Sequence, residues 1–212
     1  MRPTKSECKQ RILSDVIPLF AEMGYGGVTM RKIAAKARMT PGALYHHFSG
    51  KQDLYLSAMK QAFAGRARLI MNALSINAPP VERLRSLIYQ LCAELSRDRV
   101  FTRLIHREIL DGDQKRLRLV VDQVFRDVFS GLVILCRELT PSFDPFLLGI
   151  SIISLTVHHY QIAGLREFLP GSWPEHDDPE TVARHILRLL FEGIGSRRDH
   201  VSVEMHKGEL ST

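Results

Sequence analysis

The sequence predicts an all-α protein of about nine helices, with an N-terminal domain of three helices followed by a larger helical domain. Apolar residues recur every three or four positions along almost every segment, which is the spacing of one helix face. No run alternates apolar and polar residues for long enough to predict a β-strand. The chain has 212 residues, 45% of them hydrophobic, so it can bury a sizeable core.

The first helix is predicted from Ile12, Val16 and Phe20, which lie four residues apart on one apolar stripe. Gly24 is expected to end it, since glycine is the usual residue just beyond a helix C-terminus. Pro18 lies inside the helix and cannot donate a backbone hydrogen bond, so we expect a kink just before it.

Two short helices follow, over residues 30–37 and 41–47. Thr29 and Thr40 precede them, and threonine is a favoured N-cap residue. Pro41 stands at the first position of the second short helix, where its fixed φ suits a helix and its missing N–H costs nothing. The pair predicts a helix-turn-helix.

Breaks rich in proline, glycine and aspartate separate the remaining segments. Six further helices are predicted, over residues 51–75, 81–96, 100–110, 114–139, 145–168 and 179–195. The chain is accordingly divided into residues 1–50, a helix-turn-helix domain, 51–196, a larger helical domain, and 197–212, a flexible tail.

The positive charge is concentrated at the N-terminus. Residues 1–60 hold ten Lys and Arg against four Asp and Glu, whereas the rest of the chain holds nineteen of each. Because phosphate neutralisation supplies most non-specific affinity for nucleic acid, this distribution favours a polyanionic partner at the N-terminal part. A contribution to solubility alone is the alternative.

The second short helix is expected to read DNA in the major groove. Leu44 and Phe48 are four residues apart and would hold the helix against Ile33, which leaves its opposite face free. Gly42 has no side chain and allows the backbone to approach the duplex closely. The residues predicted to meet DNA are Thr29, Arg31, Lys32, Thr40, Pro41, Gly42, Ala43, Tyr45, His46 and Lys51.

Residues 10–56 resemble the TetR-type regulators throughout. The signature is Thr29, Ile33-Ala34, Ala37-Arg38-Met39-Thr40, Gly42-Ala43-Leu44-Tyr45-His46-His47-Phe48, Lys51 and Leu54. The resemblance implies a homodimer that binds a pseudo-palindromic double-stranded operator, and a helical remainder that binds an effector and dimerises. It therefore implies a cytoplasmic transcriptional repressor.

Two residues depart from the pattern of the family. Arg38 stands where the family usually has glycine in the turn, and a positive φ there would cost a non-glycine residue roughly 1 kcal/mol. Arg38 could also offer a cation to the phosphates. Pro18 is unusual in the first helix. Neither departure removes a predicted contact position.

Two apolar segments near the C-terminus resemble the dimer helices of the family. They would form a four-helix bundle across a two-fold axis. A buried core helix of a monomer is the alternative. The predicted interface residues are Phe146, Ile150, Ile153, Val157, Ile186, Leu189 and Leu190.

An effector pocket is predicted where large apolar and polar residues mix on central helices, which would suit a small hydrophobic or aromatic molecule. The alternative is that these aromatic residues are ordinary core. The candidates are Phe101, Ile105, His106, Phe125, Phe129 and His158. An effector there would shift the fourth helix and change the separation of the two recognition helices.

Other functions find little support in the sequence. No glycine-rich phosphate loop, nucleophile motif or His/Cys ligand spacing is present, so we expect no enzyme activity, no cofactor and no metal. No apolar run is long enough for a membrane span. The competing hypothesis is a TetR-like DNA-binding protein without a small-molecule effector, constitutive or controlled by a partner.

Overall fold

The computed structural model describes the backbone of residues 4–195 and the side chains of residues 4–192. This range is almost entirely helical and contains no β-strand, so the all-α prediction is confirmed. Among its helices, none combines the length and the hydropathy that a membrane crossing requires. The predicted tail over residues 197–212 lies outside the described residues.

Helix α1 spans Lys5–Gly27 and begins with a capping box. The Glu7 N–H donates to the Thr4 hydroxyl at 3.2 Å, and the Thr4 N–H donates to the Glu7 carboxylate at 2.7 Å. Both bonds satisfy backbone donors that a helix start otherwise leaves free.

The kink expected before Pro18 is absent from α1, whereas Gly24 does interrupt the helix where its end was predicted. Helical backbone angles continue through Pro18, and the break lies at Gly24, with φ 66° and ψ 176°. Helical structure then resumes as far as Gly27. Helix α1 packs against two later helices, α4 (Lys51–Ser75) and α6 (Arg99–Asp111), and this packing keeps it helical although Pro18 lacks one backbone hydrogen bond. Glycine takes the positive φ without steric cost, so the chain turns there instead.

The other helices follow the predicted order closely, with the predicted helix over residues 114–139 divided by a π-helical turn at Val121–Phe125. They are α2 Met30–Lys36, α3 Pro41–Tyr45, α4 Lys51–Ser75, α5 Pro80–Arg97, α6 Arg99–Asp111, α7 Gln114–Val120, α8 Arg126–Leu139, α9 Pro145–Gln161, α10 Ala163–Arg166 and α11 Pro179–Gly195.

The helix predicted over residues 145–168 is shorter in the structure. Helix α9 ends at Gln161, and Ile162 leaves the helical region with φ −93° and ψ 7°. The short helix α10 then follows. Apolar residues continue through this break at helical spacing, so the pattern alone did not reveal it.

The buried side chains form two hydrophobic clusters that share α4. The first cluster joins α1, α2 and α3 to the N-terminal half of α4, and Leu104 and Val120 from later helices complete it. The second cluster contains the C-terminal half of α4, from Phe63 to Leu74, with α5, α8, α9 and α11. Helix α4 therefore connects the two cores mechanically. The division at residue 50 remains a prediction.

Candidate nucleic-acid interface

Helices α2 and α3 are short, and their starts are fixed by threonine caps. The Thr29 hydroxyl accepts the Lys32 N–H, and the Thr40 hydroxyl accepts the Ala43 N–H, both at 3.2 Å. Pro41 occupies the first turn of α3, as predicted from the sequence. These caps stabilise helices that are too short to be stable by themselves.

One side of α3 is buried and the other is open. Leu44 and Phe48 pack in the first cluster with Ile33 and Phe20, all at most 2% exposed. Tyr45 points away from this core and is 56% exposed. Of the other predicted contact residues, Ala43 is half-buried, and the exposed ones are Thr29, Arg31 and Lys32 at α2, and Thr40, Pro41, Gly42 and His46 at α3.

Lys51, the remaining predicted contact residue, is engaged within the fold. Its ammonium lies 4.1 Å from the centre of the Tyr25 ring, a cation–π contact. Burial and the nearby positive charge of Arg116 lower the pKa of Lys51. Lys51 therefore differs from Tyr45, whose side chain is free to meet a partner.

A buried polar network lies behind the start of α4. The carboxylate of Glu108 is 2% exposed and accepts the Tyr55 hydroxyl at 2.6 Å. The Arg116 Nε–H donates to the same carboxylate at 2.8 Å. Burial and the hydrogen bond to Glu108 raise the pKa of Tyr55, which keeps the phenol protonated. Each buried group therefore has a partner of suitable charge or donor type.

The network also reaches the end of α1. The guanidinium of Arg116 lies 4.3 Å from the centre of the Tyr25 ring, and the Tyr25 and Tyr55 rings meet edge to face at 5.2 Å. Arg107 donates to the backbone carbonyl of Glu22 at 2.8 Å. The C-terminal half of α6 is thus attached to both α1 and α4 by polar contacts.

Sequence reasoning missed this network. Glu108 and Tyr55 are 53 positions apart, and no local pattern indicates that they meet. A charged residue on the apolar face of a predicted helix was the available signal, because such a residue is rarely buried without a partner. In α6, Glu108 falls on the same face as Phe101 and Leu104.

Residues 12–58 match the family described as "Bacterial regulatory proteins, tetR family". The matched residues run from α1 through α2 and α3 to the first turns of α4. Among curated relatives, the repressor KstR of Rhodococcus jostii is 29% identical over 123 residues, which are 57% of this chain and 55% of KstR. The chain spans about half the length of the first curated relatives it matches.

Solved structures share the fold along most of this chain. AibR, in complex with isovaleryl coenzyme A and operator DNA, is 22% identical with a TM-score of 0.69, and the match covers 87% of this chain and 98% of AibR. FadR of Bacillus subtilis, in complex with stearoyl-CoA, is 18% identical with a TM-score of 0.71. That match covers 87% of this chain and 98% of FadR. At these identities the likeness concerns the fold.

The predicted effector residues do not all lie together. Phe101 and Phe125 pack against Phe63, with ring centres 5.6 and 4.8 Å from it. Ile105 and Phe129 are partly buried. His106 is exposed, because it lies on the side of α6 opposite Phe101, and His158 is exposed on α9. The structure therefore brings the apolar candidates inward and leaves the two histidines at the surface.

Polar atoms without partners lie in the same interior. Arg66 is buried beside Phe101, with its guanidinium 4.4 Å from the ring centre, and it donates to Asp98 at 2.8 Å. Its Nε, the Thr102 hydroxyl and the Tyr160 hydroxyl are buried without a hydrogen-bond partner among the described residues. Buried polar groups usually have partners, so these three atoms are unusual.

The predicted dimer residues fall into two groups. Phe146 and Ile150 on α9 and Leu189 on α11 are exposed, while Ile153 and Val157 are half-buried. Ile186 and Leu190 instead face the chain's own second cluster and are 0% and 7% exposed. Their assignment to the interface is corrected: α11 packs against α5, so these side chains are covered within one protomer.

Proposed function

We propose that this chain is a sequence-specific DNA-binding transcriptional repressor that works as a cytoplasmic homodimer. The observation that carries the proposal is the open face of α3, where Tyr45 and His46 are exposed above the buried Leu44 and Phe48. A helix supported from one side can enter a major groove with the other. Recognition of DNA by such a helix does not require an enzyme active site.

The charge of the N-terminal part supports the same function. Arg31 and Lys32 are exposed beside α3, and the whole positive surplus of the chain lies within residues 1–60. Contacts from such side chains to phosphates position a protein on DNA, whereas side chains on α3 would read base edges.

Selection of bound duplexes from a random pool tests this function. A homodimer with two copies of α3 should enrich two inverted half-sites about one helical turn apart. A pool that stays random after several rounds, with the protein folded, would argue against sequence-specific binding.

The dimer is proposed to form through α9 and α11. Phe146, Ile150 and Leu189 are exposed apolar side chains on these two helices, and such a patch is typical of an interface.

Replacing Ile150 with aspartate should convert the dimer to a monomer in analytical ultracentrifugation. Aspartate at Ile109, which is equally apolar and exposed but lies on α6, serves as the control and should leave the dimer intact.

We further propose that a small hydrophobic effector releases the repressor from DNA. The aromatic interior around Phe101 and the unpartnered Nε of Arg66 support a site that is mainly apolar with a few polar anchors. AibR and FadR are both described with acyl-CoA molecules, so acyl-CoA thioesters are the first class to examine. A repressor without an effector remains the alternative.

A thermal-shift screen separates these two forms of repressor. A molecule present at a hundred times its Kd should raise the Tm by about 5–10 °C, because it binds only the folded state. The screen should contain acyl-CoA thioesters of several chain lengths, with free coenzyme A as the matched control. No shift with any thioester or apolar metabolite would favour the effector-free alternative.

A further inference from the structure

The turn between α2 and α3 contains an arginine in the left-handed region of backbone space. Arg38 has a φ of 54°. Its N–H donates to the carbonyl of Ala35 at 3.2 Å, and the next N–H, of Met39, donates to the carbonyl of Ala34 at 2.8 Å. These two bonds define a Schellman motif, which requires a left-handed residue at this position.

Glycine is the residue that normally occupies this position, because a side chain is strained there. Among the described residues, the other three with positive φ are all glycines: Gly24, Gly112 and Gly171. Arg38 is therefore an exception in a chain that otherwise uses glycine for this conformation.

The side chain of Arg38 makes no ion pair or ring contact that would offset the backbone strain. It is exposed, and no carboxylate or aromatic ring of the described residues pairs with its guanidinium. Arg66 and Arg116, by contrast, each combine an ion pair with a ring contact inside the fold. Backbone strain that is not offset by other contacts is often found at functional sites.

Arg38 lies beside the surface that is proposed to meet DNA. It precedes the cap residue Thr40 by two positions, and the exposed cations Arg31 and Lys32 lie on the neighbouring helix α2. We propose that the Arg38 guanidinium binds a phosphate of the DNA backbone at the start of α3. This inference rests on the proposed function, and it names a contact that a glycine in the turn would not make.

Four variants separate the charge of Arg38 from the strain of its backbone. Arg38→Gly removes both, Arg38→Asn removes the charge but tolerates the left-handed conformation, and Arg38→Lys keeps the charge. Arg103→Ala, an exposed cation on α6 outside this surface, is the matched control for net charge.

The test measures Tm and the affinity for a duplex over a range of salt concentrations. Arg38→Gly should raise the Tm by about 2–4 °C. Arg38→Gly and Arg38→Asn should each weaken binding about five- to tenfold and reduce the slope of log K against log salt by about 0.9 per protomer. Arg38→Lys should stay within about threefold of the wild type, and Arg103→Ala should leave the slope unchanged.

The outcomes distinguish this inference from the function on which it rests. If the wild-type protein binds no duplex, the proposed function fails. If the wild type binds and Arg38→Asn keeps its affinity and its salt slope, only the phosphate contact is overturned. An equal loss in Arg38→Lys and Arg38→Asn would also overturn it, because the charge would then not matter.

Discussion

Replacing Glu108 with alanine is expected to lower the free energy of unfolding by about 3–5 kcal/mol. The carboxylate of Glu108 is 2% exposed, and it is the acceptor for both Tyr55 and Arg116. Without it, the Arg116 guanidinium would remain buried without its main counter-charge and the Tyr55 hydroxyl would lose its acceptor. Both consequences are costly in a site that water does not reach.

Urea unfolding followed by circular dichroism measures this loss, and an exposed ion pair supplies the control. Arg188 donates to Glu192 at 2.6 Å on α11, and both side chains are more than half exposed. Glu192→Ala should therefore lower the free energy of unfolding by less than about 1 kcal/mol. A Glu108→Ala loss no larger than that of the control would contradict the account of the network.

The network also gives the proposed release mechanism a physical basis. Tyr55 lies four residues after Lys51, the first residue of α4, and it is bonded to Glu108 on α6. A shift of α6 on effector binding must either move α4 with it or break this buried hydrogen bond. Either outcome would alter the support of α3.

Replacing Tyr45 with alanine is expected to weaken binding to the selected operator by about fivefold to 150-fold. Tyr45 is the large side chain on the open face of α3, and a base or phosphate contact of this kind is worth about 1–3 kcal/mol. The Tm should not change, because Tyr45 is 56% exposed and contributes little to the core. Fluorescence anisotropy with the labelled operator measures the affinity.

Two further variants sharpen the Tyr45 experiment. Tyr45→Phe keeps the ring and removes the hydroxyl, so it shows which part of the side chain meets DNA. Phe168→Ala removes an exposed aromatic residue far along the chain and should leave the affinity unchanged. A Tyr45→Ala protein with wild-type affinity would mean that the reading face lies elsewhere.

Local features of the fold could be predicted from the sequence because they depend on neighbouring residues. The caps at Thr29 and Thr40, and the inward spacing of Leu44 and Phe48, act within one or two helical turns. They define the α2–α3 unit and the open face of α3. At Arg38 the sequence left the backbone conformation of the turn open, and the structure has a φ of 54° there.

Features that depend on tertiary packing could not be predicted in the same way. Ile186 has the spacing of an interface residue, but α11 packs against α5 and covers it. Lys51 has the motif spacing of a DNA contact, yet the Tyr25 ring lies beneath its ammonium. In both cases the partner comes from a distant part of the sequence, which periodicity does not identify.

Equilibrium binding to the selected operator and to a scrambled duplex of equal length tests the central claim most directly. The account predicts that the operator binds at least about a thousandfold more tightly at physiological salt, and that log K for both duplexes falls linearly with log salt. Equal affinities for the two duplexes, or binding that salt does not weaken, would contradict sequence-specific recognition by α3.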